Sequence, residues 1–217
     1  MYTTGSINEN LLRERGRTKS CLISGAGFIG TNLALHLSKT DEVTVIDRED
    51  KFFTMLKFLN LPIHYKAASF DFNSDFDSQV EGQDIVYHLA STVIPGNLNH
   101  DIGAEIEANV VVTGRLLDAC VKQGVKKVIF ISSGGAIYGK KGTCPIQEAM
   151  VTYPISSYGV QKLTIEKLLY LYRYQKGLDY RIIRLANPYG PYQRPNGKLG
   201  VVTTFVYKAL SSGRLEV

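Results

Sequence analysis

The stretch that most constrains this chain is Gly25-Ala26-Gly27-Phe28-Ile29-Gly30. It follows the apolar triplet Cys21-Leu22-Ile23, which has strand character. It opens a segment with Phe28, Ile29, Leu33, Leu35 and Leu37 among its apolar positions. Small residues at this spacing let the chain leave a strand in a tight turn. They also let the backbone approach a pyrophosphate and the next helix pack close to the strand. Val43-Thr44-Val45-Ile46 reads as a second strand and ends in Asp47. A carboxylate there can accept both hydroxyls of an adenosine ribose and repel a 2′-phosphate. The pattern predicts a dinucleotide site that favours NAD, with Arg48 softening that preference. A tight strand–helix turn that binds nothing is the bland alternative, and the context of the motif disfavours it.

The rest of the chain keeps alternating. Residues 48–60 look helical, Ile63–Ala67 suggests a third strand, and Asp84–Leu89 a fourth. Ala104–Gly124 reads as one long amphipathic helix, Lys127–Ser132 as a fifth strand, and Ser157–Lys176 as a helix stopped by Gly177. Tyr180–Leu185 is a sixth strand and Val201–Ser211 a final helix. Strands alternating with helices imply βαβ units in an α/β fold, a doubly wound parallel sheet of the Rossmann type. Residues 1–19 read as a polar leader, and residues 20–187 as the dinucleotide-binding domain.

Composition mainly excludes. With 44% apolar and 21% charged residues in 217, neither a disordered nor a fibrous chain is expected. The longest apolar runs are strand-sized, far short of the ~20 residues a membrane span needs, so no membrane partner is expected. The net charge is +5, and the one dense basic run, Arg13–Lys19, lies in the leader, so no nucleic-acid partner is expected. Cys21, Cys120 and Cys144 have neither a disulfide framework nor metal-site spacing. No metal is expected, and a reducing cytoplasm is the simplest home.

Tyr158-Gly159-Val160-Gln161-Lys162 sets a phenol and an ammonium four residues apart, on one face of a helix. A lysine beside a phenol favours the phenolate and lowers its pKa. The result would be a base for a sugar or alcohol hydroxyl at neutral pH. In isolation the same spacing also fits an exposed tyrosine beside a solvated lysine.

Taken in order, several segments resemble the extended short-chain dehydrogenase/reductases, in particular the NAD-dependent nucleotide-sugar epimerase/dehydratase group. They are Ser24–Gly30, Asp47, Asp71, His88-Leu89-Ala90, Asn109, Ser132–Gly139, Tyr158–Lys162 and Arg184–Pro191. The resemblance implies cofactor contacts from Gly25, Gly27, Phe28, Ile29, Gly30, Asp47, Asp71, Phe72, Leu89, Ala90, Lys162 and Pro188. It implies catalysis by Tyr158, Lys162 and a serine hydroxyl, and substrate contacts from Ser133, Tyr158 and Asn187. Three departures stand out. Ser24 replaces the first glycine of the family's turn, and Gln161 replaces a small residue before the lysine. Gly134 falls where relatives carry the catalytic Ser or Thr, which leaves Ser133 or Ser132 to supply that hydroxyl, Ser133 being favoured.

Related dehydratases and decarboxylases carry acidic residues after the catalytic hydroxyl, where this chain has Gly134-Gly135-Ala136. Elimination needs an additional acid and base, so the resemblance points to a 4-epimerase of a UDP-hexose. A reductase or dehydratase is the enzymatic alternative. A dinucleotide-binding sensor or partner subunit is the non-catalytic one. The resemblance also implies a homodimer through the two long helices. Family members run well past this length, so residues 188–217 are expected to begin a substrate-binding region, with the chain truncated or its substrate cover minimal.

Overall fold

In a computed structural model the chain is described over residues 17–92, 101–140, 144–195 and 200–211. Six parallel strands form one sheet in the order β3-β2-β1-β4-β5-β6. They are β1 (Lys19–Ile23), β2 (Glu42–Asp47), β3 (Ile63–Ala67), β4 (Ile85–His88), β5 (Lys127–Ser133) and β6 (Asp179–Leu185). The helices are α1 (Phe28–Leu37), α2 (Thr54–Phe58), α3 (Phe76–Val80), α4 (Ile102–Ile106), α5 (Val112–Lys122), α6 (Ser157–Lys176) and α7 (Val201–Ser211). The expected doubly wound sheet is therefore present.

Alternation along the strands builds two apolar layers. Cys21 and Ile23 of β1 face a core with Val86, Val128, Leu116, Leu117, Ile165 and Leu169. Leu22, between them, faces the opposite core with Ala34, Val45, Phe53 and Leu56. Each fully buried aliphatic side chain contributes about 1.5–3 kcal/mol, so covering both faces is what fixes the sheet. The strand order reverses between β1 and β4, which opens a crevice at the carboxyl ends of the strands. Among the described residues no helix is long and apolar enough to cross a membrane.

Helix α6 matches its expected bounds because both ends are chemically marked. The Ser156 hydroxyl accepts the Gly159 amide at 3.1 Å, and Gly177 closes the helix at φ +73°. Other expectations need correction. The helix expected over Ala104–Gly124 is interrupted by a π-helical turn, Glu107–Val111, between α4 and α5. Residues 48–60 contain a 3-10 turn (Asp50–Phe53) before the five-residue α2. Lys19, assigned to the leader, starts β1, and residues 1–16 of that leader lie outside the described residues. Helix α3 carries no apolar periodicity in the sequence long enough to announce it; Asp75 caps it by accepting the Ser78 amide at 3.1 Å.

Candidate active site

The turn between β1 and α1 divides its glycines by task. A Cβ on Gly25 would stand 2.6 Å from the Leu22 Cβ, and one on Gly30 would stand 2.0 Å from the Gly25 carbonyl oxygen. Both positions are closed by packing. A Cβ on Gly27 would meet nothing within 4 Å, and Gly27 lines the crevice. Ser24 holds φ +54°, the left-handed region where glycine is at ease. Ser24→Gly is therefore expected to gain about 1 kcal/mol, the cost of that conformation for an L-residue. Thermal unfolding would register it as a rise of roughly 2–4 °C, and an unchanged midpoint would show that the serine is not strained.

The crevice holds a cavity of about 780 Å³ lined by Ser24, Gly27, Phe28, Asp47, Leu89 and Ala90, among others. Asp47 accepts the Ala26 amide at 3.0 Å and the Arg48 amide at 2.8 Å, which pins its carboxylate at the rim. The Arg48 guanidinium lies over the Phe52 ring, 5.0 Å from its centre. Gly25, Ile29 and Gly30 support the turn from outside the cavity lining. Two expected cofactor contacts sit elsewhere. Phe72 packs under Arg115, whose guanidinium is 4.3 Å from the ring centre, and Phe70 lines the cavity instead. Asp71 turns its carboxylate to the Asn73 amide at 2.9 Å and the Ser74 hydroxyl at 3.2 Å, beside a separate cavity of about 320 Å³. Pro188 is also outside the lining, while Tyr192, Gln193 and Arg194 from the same loop are in it. Asn187 is exposed at φ +45°. Asn32 donates to the Pro191 carbonyl at 3.0 Å and ties that loop to α1.

Tyr158 and Lys162 meet Ser133 at the carboxyl end of β5. Gly159 makes the approach possible, since a Cβ there would stand 2.5 Å from the Ala136 carbonyl oxygen. Lys162 is buried, donates to the Ile131 carbonyl at 2.9 Å, and lies 4.7 Å from the Phe130 ring centre and 5.7 Å from that of Tyr158. Burial brings its pKa down to about 8, so at neutral pH it remains mostly an ammonium. The expected depression of the Tyr158 pKa is absent. Burial raises it, and only a hydrogen bond with Ser133 pulls the other way. The lysine is held by a backbone carbonyl rather than by the phenol.

The two candidate serines separate. Ser132 donates to Glu166 at 2.5 Å, and Glu166 is clasped by Arg184 at 2.7 and 3.1 Å. Ser133 is the one facing the phenol. Gly134 has no room for a hydroxyl-bearing side chain, since a Cβ there would stand 2.9 Å from the Arg184 carbonyl oxygen.

Comparison with known proteins gives the family. The profile of the NAD dependent epimerase/dehydratase family matches residues 21–217. The chain belongs to that family. The UDP-glucose 4-epimerase of Mycolicibacterium smegmatis is 35% identical over 202 residues, which are 89% of this chain and 63% of the relative. The Thermotoga maritima UDP-glucose 4-epimerase, solved with UDP-glucose, is 29% identical at a TM-score of 0.79, over 89% of this chain and 63% of its own. The UDP-glucuronic acid 4-epimerase of Bacillus cereus, solved in complex with NAD, is 32% identical at a TM-score of 0.72, over 82% and 59%. Curated relatives also include a reductase and decarboxylases. The chain spans less than two thirds of the length of the relatives described.

NAD is the cofactor of this family, and the residues present fit it. Gly27 is open toward the cavity at the start of α1, and Asp47 stands at the end of β2. Some cavity and site residues had no sequence signal. Thr92 lies on a loop past β4 and lines the cavity without belonging to a motif. His88 belongs to the His88-Leu89-Ala90 segment, and its sequence context assigns it no role. It is buried between Phe70 and Phe130, each 5.2 Å away, and its Nε2 lies 2.9 Å from the Thr113 hydroxyl. Burial first, and then the charge of Lys162, lowers its pKa to about 3, so it stays neutral.

Proposed function

We propose that this chain carries the NAD site and the proton-transfer groups of a nucleotide-sugar epimerase that inverts C4 of a UDP-hexose. The observation that carries the reading is the meeting of Ser133, Tyr158 and Lys162 at the end of β5, beside a stretch without a carboxylate, Gly134-Gly135-Ala136. Cofactor would be held by Gly27, Phe28, Asp47, Leu89 and Ala90, which line the cavity; Lys162 stands outside that lining, beside Tyr158. When bound, NAD would supply the acceptor that holds the C4 hydride until it returns to the opposite face of the sugar, and a positive ring charge that favours the phenolate. Tyr158 takes the proton of the C4 hydroxyl and later returns it. Ser133 holds the same oxygen, and Lys162 offsets the developing charge. A 4-keto sugar that turns over within the site gives the inverted product.

A second copy of the chain fits the exposed apolar residues of α4 to α6. Ile106 and Val111 on one side, and Val160, Leu171 and Tyr174 on the other, are uncovered. They support a homodimer paired through these helices, with a nucleotide sugar as the small-molecule partner.

Proton NMR and NADH absorbance test the activity of the purified chain with NAD and a panel of UDP-, dTDP- and GDP-hexoses, and in a parallel arm with NADH and 4-keto nucleotide sugars. The expected result is interconversion of UDP-hexose C4 epimers with no net change in NADH absorbance. Stoichiometric NADH oxidation would replace the reading by a reductase, loss of water by a dehydratase, and binding without turnover by a sensor.

A further inference from the structure

Gln161 is the one departure inside the Tyr158–Lys162 spacing that the proposed chemistry leaves unused. It is 3% exposed, and both atoms of its amide are engaged. Its Oε1 accepts from Asn109 Nδ2 at 2.8 Å. Its Nε2 donates to the Ser157 hydroxyl at 2.7 Å and to Glu105 Oε2 at 3.2 Å. Ser157 donates to that same Glu105 oxygen. Asn109 in turn grips Thr92 twice. Its Oδ1 accepts the Thr92 amide at 2.9 Å, and its Nδ2 reaches the Thr92 hydroxyl at 2.7 Å. The network therefore starts at a cavity wall and ends on α6. Asn109 stands in the π-helical turn, a distortion often found at functional positions.

We propose that Gln161 is a positioning residue, which locks the rotation of α6 to the cavity wall at Thr92 and so sets where Tyr158 and Lys162 stand. Ser157 and Gln161 are one turn apart and share a helix face. Tyr158 and Lys162 are the next residues along, about 100° further round. Holding the first face against Glu105 and Asn109 fixes the second against Ser133 and Ile131. A small residue at 161 would cut the link from α6 to Asn109, whose amide hydrogens would keep only Thr92 and the Glu105 carbonyl, and would leave Ser157 as the tie between α6 and the Glu105 carboxylate.

Three variants test it: Gln161→Ala, Gln161→Glu, and the exchange Glu105→Gln with Gln161→Glu. NAD affinity is read by calorimetry, fold by thermal melting, and turnover by the nucleotide-sugar assay. Gln161→Ala is expected to weaken NAD about tenfold and lower kcat about 10²-fold with KM within about twofold, as a displacement of roughly 1 Å would do. Gln161→Glu sets a second carboxylate against Glu105 and should bind NAD no better. The exchange keeps every hydrogen bond with amide and carboxylate reversed, and should return NAD affinity to within about threefold of the native chain. NAD binding unchanged in Gln161→Ala, or an exchange no better than Gln161→Glu when both melt as the native chain does, would overturn the proposal. If Gln161→Ala does not fold, the comparison of the other two decides. The kcat arm rests on the epimerase reading. If the native chain turns over no nucleotide sugar, that reading fails and the NAD arm still decides the role of Gln161.

Discussion

Replacing Tyr158 by phenylalanine is expected to lower nucleotide-sugar turnover by about 10²–10⁴-fold, the range of a lost general acid–base group. NAD affinity should stay within a few-fold of the native chain. The phenol oxygen is the only atom removed, and the ring can keep its place beside Lys162, 5.7 Å from the ammonium. Ser133 loses its hydrogen-bond partner but stays on β5. The dissociation of the two effects is the point of the test. Tyr158 does not line the dinucleotide cavity, so a variant that lost NAD binding as well would place the phenol in the cofactor site. Full turnover in the phenylalanine variant would remove Tyr158 from the proton transfer altogether. Because burial raises the phenol pKa in the protein alone, turnover of the native chain should also climb with pH while Lys162 keeps its charge, up to about 8.

What could be read in the sequence was what local pattern determines. The turn at Gly25–Gly30, the strand ending in Asp47 and the bounds of α6 depend on residues adjacent in the chain, and the structure places them as expected. At the break over Glu107–Val111 the Asn109 side chain bonds the Glu105 carbonyl at 2.9 Å and also reaches distant partners. Asn109 is drawn to Thr92 on one side and Gln161 on the other, and nothing within Ala104–Gly124 announces either. The choice between Phe70 and Phe72 is likewise a question of which way a loop faces. Arg115, more than forty residues on, takes Phe72 away from the cavity. The Tyr158 proton shows the same limit. Spacing puts a lysine near the phenol, but the Ile131 carbonyl holds that lysine, and burial of the phenol outweighs the one hydrogen bond, from Ser133, that favours the phenolate. The hydroxyl needed beside the phenol was narrowed to two serines by counting. Glu166 separates them, through its contacts with Ser132 and Arg184.

Alanine at Gly30 and alanine at Gly27 should fail in opposite ways. The Cβ at position 30 would stand 2.0 Å from the Gly25 carbonyl oxygen and 2.7 Å from its Cα, backbone atoms with no rotamer to yield. Overpacking of a core usually costs about 1–3 kcal/mol, and this contact belongs at or above the top of that range. A loss of about 3 kcal/mol would lower the melting midpoint of a chain this long by roughly 6–12 °C. Gly25 is fenced in by Leu22 and Val45, so the turn has no slack on its other side. At position 27 the added methyl meets nothing within 4 Å, at an N-cap with φ −84° and ψ −174°, which any residue adopts. Stability should therefore stay within about 1 kcal/mol, the usual cost of alanine at an N-cap. The methyl would project into the cavity where a pyrophosphate would meet the start of α1, and NAD affinity should fall at least about tenfold, or ~1.4 kcal/mol. Melting and NAD titration of the two variants separate packing from ligand approach. A Gly27→Ala chain that binds NAD like the native one would show that the pyrophosphate does not pass there. A Gly30→Ala chain with an unchanged midpoint would show that α1 can move off the turn without loss.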